Sequence, residues 1–119
     1  MQLKIYYLDD ESDLCEIFKD NFESDSVVIQ TFTDPELAFL ATKNSPPHLI
    51  FLDFRLPGTT GDQIASRIGP SVPKVLVTGE LDIKPESSFV KIFSKPFEFS
   101  EMAEFLKDFA AQANAREKK

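Results

Sequence analysis

Asp9 and Asp10 close the first apolar run of the chain and Asp53 closes another, while Thr78 ends a third and Lys95 a fourth. Each of these polar residues stands at the carboxyl end of a segment that reads as a buried strand. Three carboxylates brought together offer hard oxygen ligands, and magnesium suits them because it takes a few carboxylate oxygens and keeps several waters. A carboxylate can also act as a nucleophile and carry a phosphoryl group as an acyl phosphate. A hydroxyl and an ammonium beside it would bind and neutralise the transferred oxygens, which is most of what phosphoryl transfer asks of a protein. Without a cation the carboxylates would repel one another, and some would hold protons more tightly.

For this chemistry, residues distant in sequence must meet, and the order of elements provides for it. Leu3 to Leu8 (LKIYYL) is apolar and β-rich, broken only by Lys4. Ser12 or Asp13 can cap a helix to about Phe22, with Leu14, Ile17, Phe18 and Phe22 at spacings of three and four. Val27 to Phe32 is a second strand. Asp34 before Pro35 opens a helix to about Lys43, since proline suits the first helical position. After Asn44-Ser45-Pro46-Pro47, His48 to Asp53 is a near-continuous apolar run, as expected for a strand covered on both faces. The spacing then predicts a short helix from about Asp62 to Ile68, ended by Gly69-Pro70. Strands at Lys74 to Thr78 and Phe89 to Phe93 follow, and Ser100 would cap a last helix with Met102, Phe105, Leu106 and Phe109 on one stripe.

Strands alternating with helices imply right-handed crossovers and a parallel sheet with helices on both faces. In such a sheet, ligands bind at the carboxyl ends of the strands. Taken singly, the same residues have plainer uses. An aspartate pair after a strand can be a helix cap, a lone aspartate a turn residue, and a lysine a solvated charge. Their joint order is what points to a site.

That order resembles the receiver domain of two-component response regulators. The resemblance covers nearly the whole chain. It rests on Asp9-Asp10 after the first strand, Asp53 with Leu56-Pro57 and Gly61 after the third, Thr78-Gly79 after the fourth, and Lys95-Pro96-Phe97 after the fifth. It implies a doubly wound, flavodoxin-like five-stranded sheet of order 2-1-3-4-5. By the same resemblance Asp53 is the phosphorylated nucleophile, and Thr78 and Lys95 are its catalytic partners. Asp10 and Asp53 are direct magnesium ligands, Asp9 acts directly or through water, and the main-chain carbonyl of Arg55 completes the set. The Lys95–Pro96 bond would be cis, aiming the lysine inward. A histidine kinase or histidine phosphotransfer protein would donate the phosphoryl group, an output protein would read it, and a second copy of the chain is a candidate partner. The domain would catalyse its own phosphorylation and slow dephosphorylation, with no separate substrate to turn over.

Two departures from the family pattern stand out. Between Thr78 and Lys95 there is too little chain for a loop, a strand and a full helix, and Pro85 interrupts what remains. The fourth helix is therefore expected as one turn or as a loop. Receivers also place Tyr or Phe three residues before the lysine, where this chain has Ile92; Phe93, one residue on, should face the other way. The usual coupling between threonine and ring would be absent or rerouted. Arg55 and Glu80 flank the site, either as an ion pair across its mouth that tunes the phosphorylated lifetime or as two unrelated exposed side chains.

Two rival readings follow from these residues. A receiver-fold interaction module independent of phosphate is favoured by the reduced fourth helix and Ile92 and opposed by the intact acidic site. A haloacid-dehalogenase-type phosphohydrolase needs a second aspartate two residues after the nucleophile, where this chain has Arg55.

Size and charge narrow the field further. The 119 residues fit one domain, 1–119, with no effector domain. A net charge of −7 argues against direct nucleic-acid binding. The only basic concentration, Arg116, Lys118 and Lys119, suits the end of a helix. No apolar stretch is long enough to span a membrane and no signal pattern opens the chain, so a cytoplasmic location is expected. The single cysteine, Cys15, fits a reducing compartment and reads as a packing residue in the first helix.

Overall fold

The computed structural model describes residues 2–117; Lys118 and Lys119 of the basic tail lie outside them. Strands and helices alternate: β1 (Leu3–Leu8), α1 (Ser12–Phe22), β2 (Val27–Phe32), α2 (Pro35–Asn44) and β3 (Leu49–Asp53). A small ribbon, β4 (Arg55–Leu56) and β5 (Thr59–Thr60), precedes α3 (Gly61–Ile68), β6 (Lys74–Thr78), β7 (Lys91–Ser94) and α4 (Phe99–Glu117). The five longer strands form one sheet in the order β2-β1-β3-β6-β7, every neighbouring pair parallel. Counting those strands alone, this is the expected 2-1-3-4-5 order.

Alternation along β1 divides the core between the two faces of the sheet. Leu3, Ile5 and Tyr7 pack with Cys15 and Phe18 of α1 and Met102 and Leu106 of α4. Tyr6 and Leu8 pack on the other face with Ala38 of α2 and Ile64 and Ala65 of α3. The first face is built from aromatic rings, with Tyr7 stacked on Phe18 at 4.2 Å and Phe51 tilted against Phe18 at 5.0 Å. Burying each such ring contributes roughly 2–3 kcal/mol. Because β3 is central and its side chains are buried along its length, its sequence shows no polar alternation until Asp53. His48 leads into it, donating its N–H to the Lys4 carbonyl at 2.8 Å and accepting the Lys4 N–H at Nδ1.

Asp34 caps α2 as expected, its carboxylate accepting the N–H groups of Glu36 and Leu37, with Pro35 at the first helical position. Elsewhere the caps differ from the sequence reading. Helix α1 has Glu11, not Ser12 or Asp13, at its cap position and no side-chain cap there; instead the Glu11 N–H donates to Asp9 Oδ1 at 2.9 Å. In α1 the buried stripe runs through Cys15, Phe18 and the partly buried Phe22, leaving Ile17 exposed. The fifth sheet strand runs Lys91–Ser94 rather than Phe89 to Phe93, because its register is fixed by pairing with β6. The last helix begins at Phe99, ahead of Ser100, and its first turn is closed by the Met102 N–H donating to the Glu98 carbonyl.

Between Thr78 and Lys91 there is no helix, so the expected fourth crossover helix is a loop here. The third is short, stopping at Gly69, whose φ of 86° suits only glycine. Among the described residues no helix is long and apolar enough to cross a membrane.

Candidate functional site

Three neighbouring strands deliver the site. β1 ends immediately before Asp9, β3 ends on Asp53 and β6 ends on Thr78, so parallel pairing sets their carboxyl ends side by side. Lys95 follows β7 directly, its N–H donating to the Thr78 carbonyl at 2.8 Å. The Lys95–Pro96 bond is cis. Gly61 stands where any Cβ would collide with the main-chain carbonyl of Asp53, so the loop after β3 can fold back only on a glycine.

Asp9 is fully buried, Asp53 nearly so, and Asp10 is exposed; one carboxylate oxygen from each lies within 4.8 Å of the others. The Lys95 ammonium bridges the two buried acids, at 2.9 Å from Asp9 Oδ2 and 3.0 Å from Asp53 Oδ1. Burial and the Asp9 charge together push the Asp53 carboxyl up to about 6, against the pull of Lys95. Burial draws the Lys95 ammonium down, but its hydrogen bonds to Asp9 and Asp53 outweigh that and hold it above its ordinary value. The acids are thus crowded beyond what one lysine neutralises. An all-oxygen donor set with residual negative charge fits a hard divalent cation such as magnesium.

Thr78 is buried, and its Oγ1 accepts the Glu80 N–H at 3.0 Å, leaving its own O–H free to donate. Arg55, at the start of β4, donates from Nε to the Glu80 carboxylate, so the two side chains are paired. Its guanidinium also lies 5.3 Å from the Phe54 ring centroid. Ile92 is exposed at 45% while Phe93 is buried in the core, the alternation expected from their order. Cys15 is buried, its thiol donating to the Asp9 carbonyl at 3.4 Å, and burial pushes it up to about 11, in keeping with a packing residue.

Two features escaped the sequence reading. The β4–β5 ribbon surrounds Pro57-Gly58, a turn dipeptide whose glycine has φ of 73°, and that dipeptide was the available signal. The second is Asp62, which holds the loop replacing the fourth helix. Its two carboxylate oxygens accept the N–H groups of Glu86 and Ser87 at 2.8 and 2.9 Å, and its carbonyl accepts the Ser87 hydroxyl at 3.1 Å. An acidic residue in the first turn of α3 looks like an ordinary helix-end charge, and nothing local announces a partner far along the chain.

A parallel sheet of this order, with acids at its carboxyl edge beside a threonine and a lysine, defines a doubly wound α/β domain with a polar site at its strand ends. The family model for the response regulator receiver domain matches residues 5–107, and the chain belongs to that family. A search of curated proteins finds no match. Among solved structures, the chain is similar to the signal receiver domain of a putative Luxo repressor protein from Vibrio parahaemolyticus, with 17% identity over 98% of this chain and 96% of that one, at a TM-score of 0.86. It is also similar to a CheY-like receiver domain protein from Methanospirillum hungatei JF-1, with 16% identity over 98% and 99% of the two chains, at a TM-score of 0.87. The BeF3-activated DrrB receiver domain matches with 24% identity over 92% and 97%, at a TM-score of 0.79. At these identities the likeness speaks for the fold.

Proposed function

We propose that this receiver domain takes a phosphoryl group onto Asp53 from the phosphohistidine of a histidine kinase or histidine phosphotransfer protein, and that the change alters which partner it binds. The observation that carries this reading is the convergence of Asp9, Asp10 and Asp53 on one point, with Lys95 bridging two of them. Asp10, Asp53 and the Arg55 carbonyl would hold magnesium, with Asp9 direct or through water. When bound, the cation would offset the charge of the carboxylates and of the incoming phosphoryl oxygens.

In this reading an Asp53 Oδ attacks phosphorus, the O–P bond forms as the P–N bond breaks, and the departing imidazole nitrogen takes up a proton from solvent. Lys95, already within reach of Asp53, would neutralise one transferred oxygen, and Thr78 would donate its hydroxyl hydrogen to another. Water attacking the same phosphorus would return the free carboxylate and inorganic phosphate. The Arg55–Glu80 pair lies beside that route and would lengthen the phosphorylated lifetime by limiting water. These reagents, and the kinase, point to a cytoplasmic setting.

One observation favours a second reading, an interaction module that does not need phosphate. Residues 79–90 form a loop instead of a helix, and Ile92 replaces the ring that usually reports phosphorylation. A haloacid-dehalogenase-type phosphohydrolase has no such support, because Arg55, engaged with Glu80, occupies the position where its general acid would be needed. Beryllofluoride with magnesium distinguishes the two live readings. Phosphoacceptance requires amide shifts at Asp53, Thr78 and Lys95 in the ¹H–¹⁵N spectrum, lost when magnesium is withheld; an unchanged spectrum would leave the module.

A further inference from the structure

Lys74 opens β6 at the edge of the sheet opposite to the acidic site. It and Thr78 bound the same strand, about 13 Å apart at the usual strand rise. Lys74 is only 5% exposed, yet its Nζ has a single hydrogen-bond acceptor, the Val72 carbonyl at 2.8 Å. An ammonium carries three donors, so this buried cation has capacity left over. No acid pairs with it among the described residues, although buried lysines are normally paired. Burial holds its ammonium below the ordinary lysine value.

A cavity of about 250 Å³ lies against Lys74, between α3 and the loop that replaces the fourth helix. Ser66 comes from α3, and Glu86, Ser87 and Ser88 from the loop. Ser87 is already committed to the Asp62 carbonyl, which fixes the loop wall of the cavity. Ser66 and Ser88 are exposed, so their hydroxyls can turn inward without breaking a buried contact. Glu86 is also exposed and is, among the described residues, the one acidic side chain lining the cavity.

We propose that this cavity binds a phosphate-sized oxyanion, seated on the Lys74 ammonium and contacted by the hydroxyls of Ser66 and Ser88. A compact point charge with rotatable donors suits a phosphate oxygen. Glu86 opposes the ligand from the wall and sets a ceiling on affinity. Because the walls belong to α3 and to the loop that begins after Thr78, occupancy would stiffen the segment carrying Glu80. The site is separate from the acidic edge and does not depend on phosphorylation.

Inorganic phosphate titrated into metal-free protein, with ionic strength held by chloride, tests this by ¹H–¹⁵N amide shifts and by the Lys74 Nζ titration. Saturable shifts are expected at Ser66, Lys74 and Ser88, with the Lys74 pKa rising on binding. Lys74→Met keeps the unbranched stem in a buried strand and should raise the dissociation constant about tenfold or more. Glu86→Gln, on the surface, should tighten binding by about twofold. A parallel titration with acetate asks whether any oxyanion suffices: weaker saturable binding at the same amides agrees with the proposal, and binding stronger than phosphate overturns its ligand class. Linear, non-saturating shifts, or a folded Lys74→Met variant that binds phosphate as well as the natural chain, would overturn the site itself.

Discussion

The carboxyl edge of the sheet and the segment between Thr78 and Lys91 hold their chains in opposite ways. At the edge, rigid strands deliver each group, Asp9 accepts from Lys95 and from the Glu11 N–H, and Thr78 accepts from the Glu80 N–H. The segment has no helical ladder. Asp62 ties it near its middle, and the segment exposes Leu81 (86%) and Val90, with Ile92 exposed just beyond on β7. Where buried charge is concentrated, every position is fixed from several sides; where the helix is gone, one carboxylate carries much of the load. The difference sets a rigidly held cluster of polar groups beside a loosely tied face.

The largest effect is expected where the edge is most tightly built. Gly61→Ala forces a Cβ into the Asp53 carbonyl, and the loop after β3 must shift. Loss of about 2–4 kcal/mol in denaturant unfolding is expected, together with loss of magnesium binding. A variant as stable as the natural chain would mean that the edge is as tolerant as the loop.

A smaller effect of opposite sign is expected at Asp53. Its carboxyl is raised to about 6 by burial and by Asp9, whereas the unfolded chain titrates near about 4. The folded state therefore binds the proton more tightly between those values. Its contribution to stability is present below about pH 4 and lost as pH rises through about 6. Asp53→Asn should accordingly stabilise the metal-free protein by about 1–3 kcal/mol at about pH 7.5 and by little at about pH 4. Thermal unfolding at both pH values checks this; equal effects at the two would remove the crowded-acid account.

Smallest of the three is Asp62→Ala, which frees the loop without touching the edge. About 1 kcal/mol of stability should be lost, and the Glu86 and Ser87 amides should lose protection from hydrogen exchange. Protection at Thr78 and Lys95 should stay. Loss at both places would join the two regions into one cooperative unit.

Much of this was legible in the sequence, for identifiable reasons. Asp9, Asp53 and Thr78 each follow or close a buried apolar run, so those strand ends could be placed from β1, β3 and β6, whereas Lys95 follows a strand in which only Phe93 is buried. Asp34-Pro35 announces its helix locally, and the shortage of chain before Lys95 announces the missing one. What stayed hidden depends on distant contacts. The strand after the loop slips to Lys91–Ser94 because β6 sets its register, although Phe89 and Val90 are as apolar as the rest. Asp9 accepts the N–H of Glu11, the residue that takes the cap position in place of Ser12 or Asp13. Lys74 simply opens its strand in the sequence, and only the fold shows that the residue is buried.

Intact mass before and after treatment with acetyl phosphate, with and without magnesium, tests the central claim most directly. The natural chain should gain one phosphoryl group when magnesium is present, and Asp53→Asn should gain none. An unmodified natural chain under those conditions, or equal labelling of the Asp53→Asn variant, would contradict it.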